Sequence, residues 1–144
     1  MQIVVIGASG GLGEAFVERF LQTDEYEIIA TYNKTEPKKS LLENNRINWK
    51  KVDITEEDQV AEFCSSLADI KIFINAVGML HDLEHGPEKS TRQIDKDYML
   101  KSISINTLPT MLFAKYLTKS FRHKENAIFA TISARVGSIE ENYL

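Results

Sequence analysis

Seven residues near the start constrain this chain more than any other stretch: Gly7-Ala8-Ser9-Gly10-Gly11-Leu12-Gly13. Four glycines follow a short β-branched run at residues 3–6 and precede an amphipathic run that begins at Glu14. A strand, a glycine turn and a helix start, in that order, form the context in which a glycine pattern cradles phosphate. The need is geometric. A pyrophosphate has to approach the backbone N–H groups of a helix N-terminus, and a Cβ in the turn would hold it off. Gly7 is read as the turn residue, Gly11 as the point of close approach and Gly13 as the contact between helix and strand, with Ser9, Gly10 and Leu12 completing the loop. The plain alternative is a glycine-rich turn without a ligand.

The rest of the chain supplies the alternation that such a turn requires. At 144 residues it is expected to be one domain with a substantial core. Strands are predicted at residues 2–6, 26–32, 46–52, 70–74 and 127–133. A helix is predicted at residues 12–22, with Leu12, Ala15, Phe16, Phe20 and Leu21 on its apolar side. A short helix follows at 38–43 with Pro37 in its first turn. Thr55 reads as the N-cap of the next helix, ahead of three acids, with Val60, Phe63, Cys64 and Leu67 facing inward. Residues 91–122 are helical in pattern and interrupted near 106–109, where Pro109 removes a helix N–H. Residues 79–90 read as a long loop, and residues 135–144 show no clear element. Strands alternating with helices, without hairpin signals, predict an α/β fold: a Rossmann-type doubly wound parallel sheet of about five strands with helices on both faces.

Composition narrows the function. A net charge of -4 offers no basic face for nucleic acid. No stretch approaches a membrane span, and the single cysteine, Cys64, rules out an internal disulfide. A cytoplasmic protein without nucleic-acid or membrane partners is the expectation. Metal binding by His81 and His85 is disfavoured against loop structure or a substrate-side contact, because they lie in a loop with no supporting ligand set.

Four features together resemble the classical short-chain dehydrogenase/reductases. Gly7, Gly11 and Gly13 fit that family's glycine pattern, and Asp53, after strand three, fits its adenine-contacting acid. Asn75-Ala76-Val77-Gly78 fits its Asn-Ala-x-Gly segment, and Asn106 fits the asparagine at the kink of its long helix. The loop 81–89 and residues 133–139 are similar, more narrowly, to the C-factor-type branch. The resemblance covers essentially the whole chain. It implies hydride transfer between a nicotinamide cofactor and a small-molecule carbonyl or alcohol. It places cofactor contacts on Gly7, Ser9, Gly10, Gly11, Leu12 and Gly13, on Asn33 and Lys34, on Asp53 and Ile54, and on Asn75, Ala76 and Gly78. Asn106 and Ser133 take its catalytic positions, although the family's serine spacing falls on Ala134 when counted from Gly137. The plain alternatives are a helix-kink amide for Asn106 and a strand-end hydroxyl for Ser133.

Two points qualify that activity. The end of strand two, Thr31-Tyr32-Asn33-Lys34, has no acid to bond a ribose 2′-OH, and Lys34 stands ready to pair with a 2′-phosphate. The cofactor is therefore expected to be NADP, with NAD as the alternative, although Gly10 stands where many NADP-preferring members carry arginine. In the family a tyrosine transfers the proton and a lysine four residues later tunes it. None of the five tyrosines has a lysine four residues on, and Tyr116 with Lys119 is a poor substitute. The chain thus reads as the cofactor-binding part of an oxidoreductase, C-terminally incomplete relative to the family and inactive as it stands. Self-association is expected through the last strand and the helix at 107–122. The alternatives are a non-catalytic nucleotide-binding sensor or interaction protein, and an extended-type sugar-nucleotide epimerase or dehydratase, whose glycine spacing Gly7, Gly10 and Gly13 also fit.

Overall fold

The computed structural model describes residues 1–82, 84–121, 126–134, 137 and 140. Strand β1 (Gln2–Ile6) runs through the glycine turn into helix α1 (Gly11–Phe20). Strand β2 (Glu27–Tyr32), a single turn α2 (Lys39–Leu42), strand β3 (Ile47–Lys51), helix α3 (Glu57–Ser65) and strand β4 (Ile70–Asn75) follow. A 3-10 turn at Thr91–Gln93 leads to α4 (Lys96–Asn106), α5 (Leu108–Phe121) and strand β5 (Ile128–Thr131). The five strands form one parallel sheet in the order β3-β2-β1-β4-β5. The chain starts at the centre, winds to one edge, then crosses to the other. No helix among the described residues is long and apolar enough to cross a membrane.

Both faces of the sheet are covered, which is why residues 3–6 of β1 are all apolar. Its side chains alternate. Val4 and Ile6 join a core with Val60, Phe63 and Cys64 of α3 and Leu112, Phe113 and Leu117 of α5. Ile3 and Val5 face the other way, toward Val17 of α1 and Leu41 of α2. Phe73, fully buried at the centre of β4, stacks on Phe129 at 4.9 Å and packs on Phe113 at 5.0 Å. Cys64 sits in this core, and burial pushes its thiol up to about 12.

Several sequence-based assignments shift, each for a local reason. Leu12 is not on the packed side of α1: it is 59% exposed, while Val17 is fully buried. The close seat of Gly13 against the turn sets the contact face of α1, and Leu12 lies one residue off it. Thr55 does not cap α3. Glu56 occupies that position without a side-chain cap bond, and the Thr55 hydroxyl is used by Asp53 instead. Pro37 is buried ahead of α2, whose N-cap is Lys38. The interruption near 106–109 is a helix boundary at Thr107. Pro109 falls in the first turn of α5, where its missing N–H would have had no helical partner. On α5, Leu112 is buried while Leu108 and Met111 are exposed.

Candidate functional site

In an open parallel sheet, ligands bind beyond the carboxyl ends of the strands where the strand order reverses. Here that point lies between β1 and β4, and the glycine turn sits on it. Gly7 has φ +74°, and a Cβ there would meet Val77 Cγ2 at 2.5 Å. A Cβ on Gly13 would lie 2.2 Å from the Gly7 carbonyl oxygen and 2.8 Å from Ala8 Cα, so α1 packs backbone against backbone. Gly11 differs: a Cβ there would meet nothing within 4 Å. Internal packing therefore gives no reason for glycine at position 11.

The first bond of α1 runs from the Glu14 N–H to the Gly10 carbonyl. The N–H groups of Gly11, Leu12 and Gly13 thus have no partner within the helix, and they carry its positive dipole end. Glu14 is the acid of this first turn, and its charge is met by an ion pair to Lys38. Gly10 donates to the Gly7 carbonyl at 3.1 Å, which closes the turn.

In front of the turn lies a cleft of about 490 Å³, within the range of small-molecule and cofactor sites. Gly7, Ser9 and Gly10 form its floor, and Asn33 and Lys34 border it from the end of β2. Asp53 and Ile54 line it beyond β3, and Ala76 and Gly78 beyond β4. The Asp53 carboxylate accepts from the Thr55 N–H (3.0 Å) and hydroxyl (2.7 Å), while the Asp53 N–H donates to Gln59 (3.0 Å). The Thr55 hydroxyl, with smaller help from Asn33 and Lys34, holds this carboxyl below the usual range against the opposing effect of burial. Asp53 is thus a fixed acceptor on the cleft wall at neutral pH.

Not every sequence-predicted site residue lines the cleft. Gly11, Leu12 and Gly13, the first residues of α1, are not among the residues that line it. Asn75 is 1% exposed and structural in geometry. Its amide donates to Thr110 Oγ1 on α5 (3.0 Å), and its oxygen accepts from the Val77 N–H (3.2 Å). Asn106 clamps the start of the following loop. Its oxygen accepts from the Met79 N–H (2.7 Å), and its amide donates to the Met79 carbonyl (2.8 Å) and to Ser102 (3.1 Å). Ser133 lies beyond the end of β5, exposed and apart from the cleft. The residues after Ala134, apart from Gly137 and Glu140, lie outside the described part of the chain.

Three residues, Thr31, Lys101 and Asp82, escaped the reading of the sequence. Thr31 is buried in β2 and accepts the Gly7 N–H on its hydroxyl at 3.1 Å. Nothing in a β-branched strand residue signals that role. Lys101 on α4 lines the cleft and pairs with Asp82 in the loop at 2.7 Å. Asp82 also accepts from the backbone N–H groups of Glu84 and His85, and Lys101 foremost holds its carboxyl well below the usual range. His85 stacks on Tyr98 at 4.5 Å and meets Asp82 at 3.2 Å. His81 lies apart, its ring within 3.4 Å of the Asp82 carbonyl.

Tyr116 is turned away from the cleft. Its hydroxyl donates to Glu57 on α3 at 2.7 Å, and that bond foremost raises its pKa. A phenol beside a carboxylate is tuned away from proton transfer near neutral pH. Lys115, not Lys119, is the lysine beside it, pairing with the same Glu57.

A parallel sheet wound outward from β1, with a glycine turn at its strand reversal and a carboxylate beyond β3, defines a Rossmann-type α/β domain. The family model for short chain dehydrogenase matches residues 1–142, and the chain belongs to that family. Solved structures share the fold. One is assigned as a short-chain alcohol dehydrogenase from Burkholderia multivorans (TM-score 0.83, 21% identity, covering 99% of this chain and 66% of that one). Another is the carbonyl reductase Sniffer of D. melanogaster (0.83, 16%, 99% and 64%). A third is the NADPH-bound carbonyl reductase from chicken fatty liver (0.80, 17%, 99% and 60%). The chain thus spans 60 to 66% of the length of these three structures. No curated protein matches it.

Proposed function

We propose that this chain binds a nicotinamide dinucleotide and forms the cofactor-holding part of an oxidoreductase acting on small-molecule carbonyls or alcohols. The observation that carries this reading is the cleft at the strand reversal, where the glycine turn meets Asp53 on one wall and Ala76 and Gly78 on the other. The residues fit the group. The open space at Gly11 and the N–H groups at the start of α1 suit a pyrophosphate. Asp53 and Ile54 suit the adenine, and Asn33 and Lys34 its ribose. When bound, such a cofactor supplies or takes up a hydride. Asn75 and Asn106 hold the backbone beside it, and Ser133 is assigned to the substrate side. The narrower likeness to the C-factor-type branch stays part of this proposal, as does a cytoplasmic location.

The cofactor preferred is NADP, because Lys34 is exposed at the end of β2 with no acid beside it in the sequence before Glu36. Lys34→Glu is expected to weaken NADPH binding about tenfold or more and leave NADH nearly unchanged, through loss of a charge-assisted contact to the 2′-phosphate. Titration of both cofactors into both proteins checks it. Tighter binding of NADH than NADPH by the unaltered chain reverses the assignment.

A second reading, a nucleotide-binding sensor or interaction protein, is favoured by one observation: no tyrosine in the sequence is followed four residues later by lysine. Binding of NADPH without turnover under any carbonyl substrate fits both readings. Recovery of turnover when a longer chain carrying that pair is used selects the first.

The chain is also proposed to self-associate. β5 is an edge strand with Ile128 51% exposed, and Leu108 and Met111 on α5 stand free. An apolar edge invites pairing with another chain. Sedimentation at high concentration is expected to show a dimer or larger species, and a clean monomer contradicts this.

A further inference from the structure

We infer that Thr31 is the positioning residue of the glycine turn, setting from the neighbouring strand the backbone that the turn offers to a pyrophosphate. The inference rests on the nucleotide-binding reading and extends it to a residue outside the glycine pattern.

Consecutive N–H groups of a regular strand point to opposite neighbours. At Gly7 this rule fails, because its φ of +74° turns the chain. The N–H groups of Gly7 and of Ala8 both face β2, and both end on Thr31. Gly7 donates to Thr31 Oγ1 at 3.1 Å, and Ala8 donates to the Thr31 carbonyl at 2.8 Å. A strand offers one carbonyl at that point, so the second donor needs an acceptor from a side chain. Without one, a partly buried N–H would be left unsatisfied.

The two bonds have a joint consequence. The Gly7 N–H belongs to the peptide plane before Gly7, and the Ala8 N–H to the plane after it. Thr31 therefore holds both planes that flank Gly7 and with them its left-handed conformation. The second plane also carries the Gly7 carbonyl, which accepts from Gly10 and which the Gly13 backbone contacts. The position of the start of α1 follows from that plane. Thr31 and Asn75 are the buried polar residues among the described part of the chain, one on each side of β1 at the strand reversal. Asn75 braces the β4 side through Val77 and Thr110. Thr31 braces the β2 side.

The test compares the unaltered chain, Thr31→Val and Thr31→Ser by chemical-shift titration with ADP and with adenosine, and by amide hydrogen exchange. Thr31→Val keeps the shape and the carbonyl but removes the hydroxyl. It is expected to lose about tenfold in ADP affinity, to keep adenosine affinity, and to exchange the Gly7 amide faster. Thr31→Ser restores the ADP affinity and the slower Gly7 exchange, with adenosine affinity again unchanged. A merely structural role would weaken both ligands together, and that result, or an unchanged ADP affinity in Thr31→Val, overturns the inference. Should Thr31→Val fail to fold, the unaltered chain still decides: a Gly7 amide that exchanges as fast as an exposed loop overturns it. If the unaltered chain binds neither ligand, the nucleotide reading fails, and the Gly7 exchange rates report separately on Thr31.

Discussion

Gly13→Ala is expected to lower stability by about 3 kcal/mol, at the upper end of the usual cost of overpacking, and to abolish detectable nucleotide binding. The new Cβ would lie 2.2 Å from the Gly7 carbonyl oxygen and 2.8 Å from Ala8 Cα. Both are backbone atoms, so no side-chain rotation relieves the contact. Either α1 lifts from the turn or the turn opens. Gly11→Ala is the informative companion. Its Cβ meets no protein atom within 4 Å, and alanine loses less backbone freedom on folding than glycine. Gly11→Ala should therefore keep or slightly raise stability while weakening the nucleotide. Denaturant midpoints give the stabilities, and titration with NADPH gives the affinities. Equal stability of Gly13→Ala and the unaltered chain would show that the helix seat is looser than the geometry indicates.

The second large effect is an absence of turnover. The 144-residue chain, given NADPH and a carbonyl substrate, is expected to reduce it no faster than background. A positioned proton donor contributes about 10²–10⁴ to such a reaction, and no candidate pair is at hand. Tyr116 is bonded to Glu57, which with burial raises its pKa, and it does not line the cleft. Asn106 spends its side-chain amide on Met79 and Ser102. Cofactor fluorescence separates failure to bind from failure to react: binding is expected, reduction is not. Robust turnover would require another proton donor, with Lys101 on the cleft wall the first to replace.

Much of this was legible in the sequence because it is local. The apolar run at β1 read as a buried strand and those at β2 and β4 as strands, and the alternation of strands with helices implied the parallel sheet. Gly7 and Gly13 announced a turn that tolerates no side chain, and the structure shows which atoms enforce it. The errors were also local in origin. Thr55 has the composition of an N-cap, but Asp53 two residues earlier competes for its hydroxyl. Leu12 satisfies the helical period, but the period does not say where the helix touches its sheet.

The sequence by itself determined the order of elements, the family, and the wall of the cleft that carries Asp53, since these follow from periodicity, glycine spacing and short motifs. The tertiary structure alone decided that Thr31 holds Gly7 across 24 residues, that Asn75 reaches Thr110 across 35, and that Lys101 on the cleft wall is tied to Asp82. Those contacts depend on strand order and helix placement, which bring distant residues within hydrogen-bond reach and leave no periodic trace in the chain.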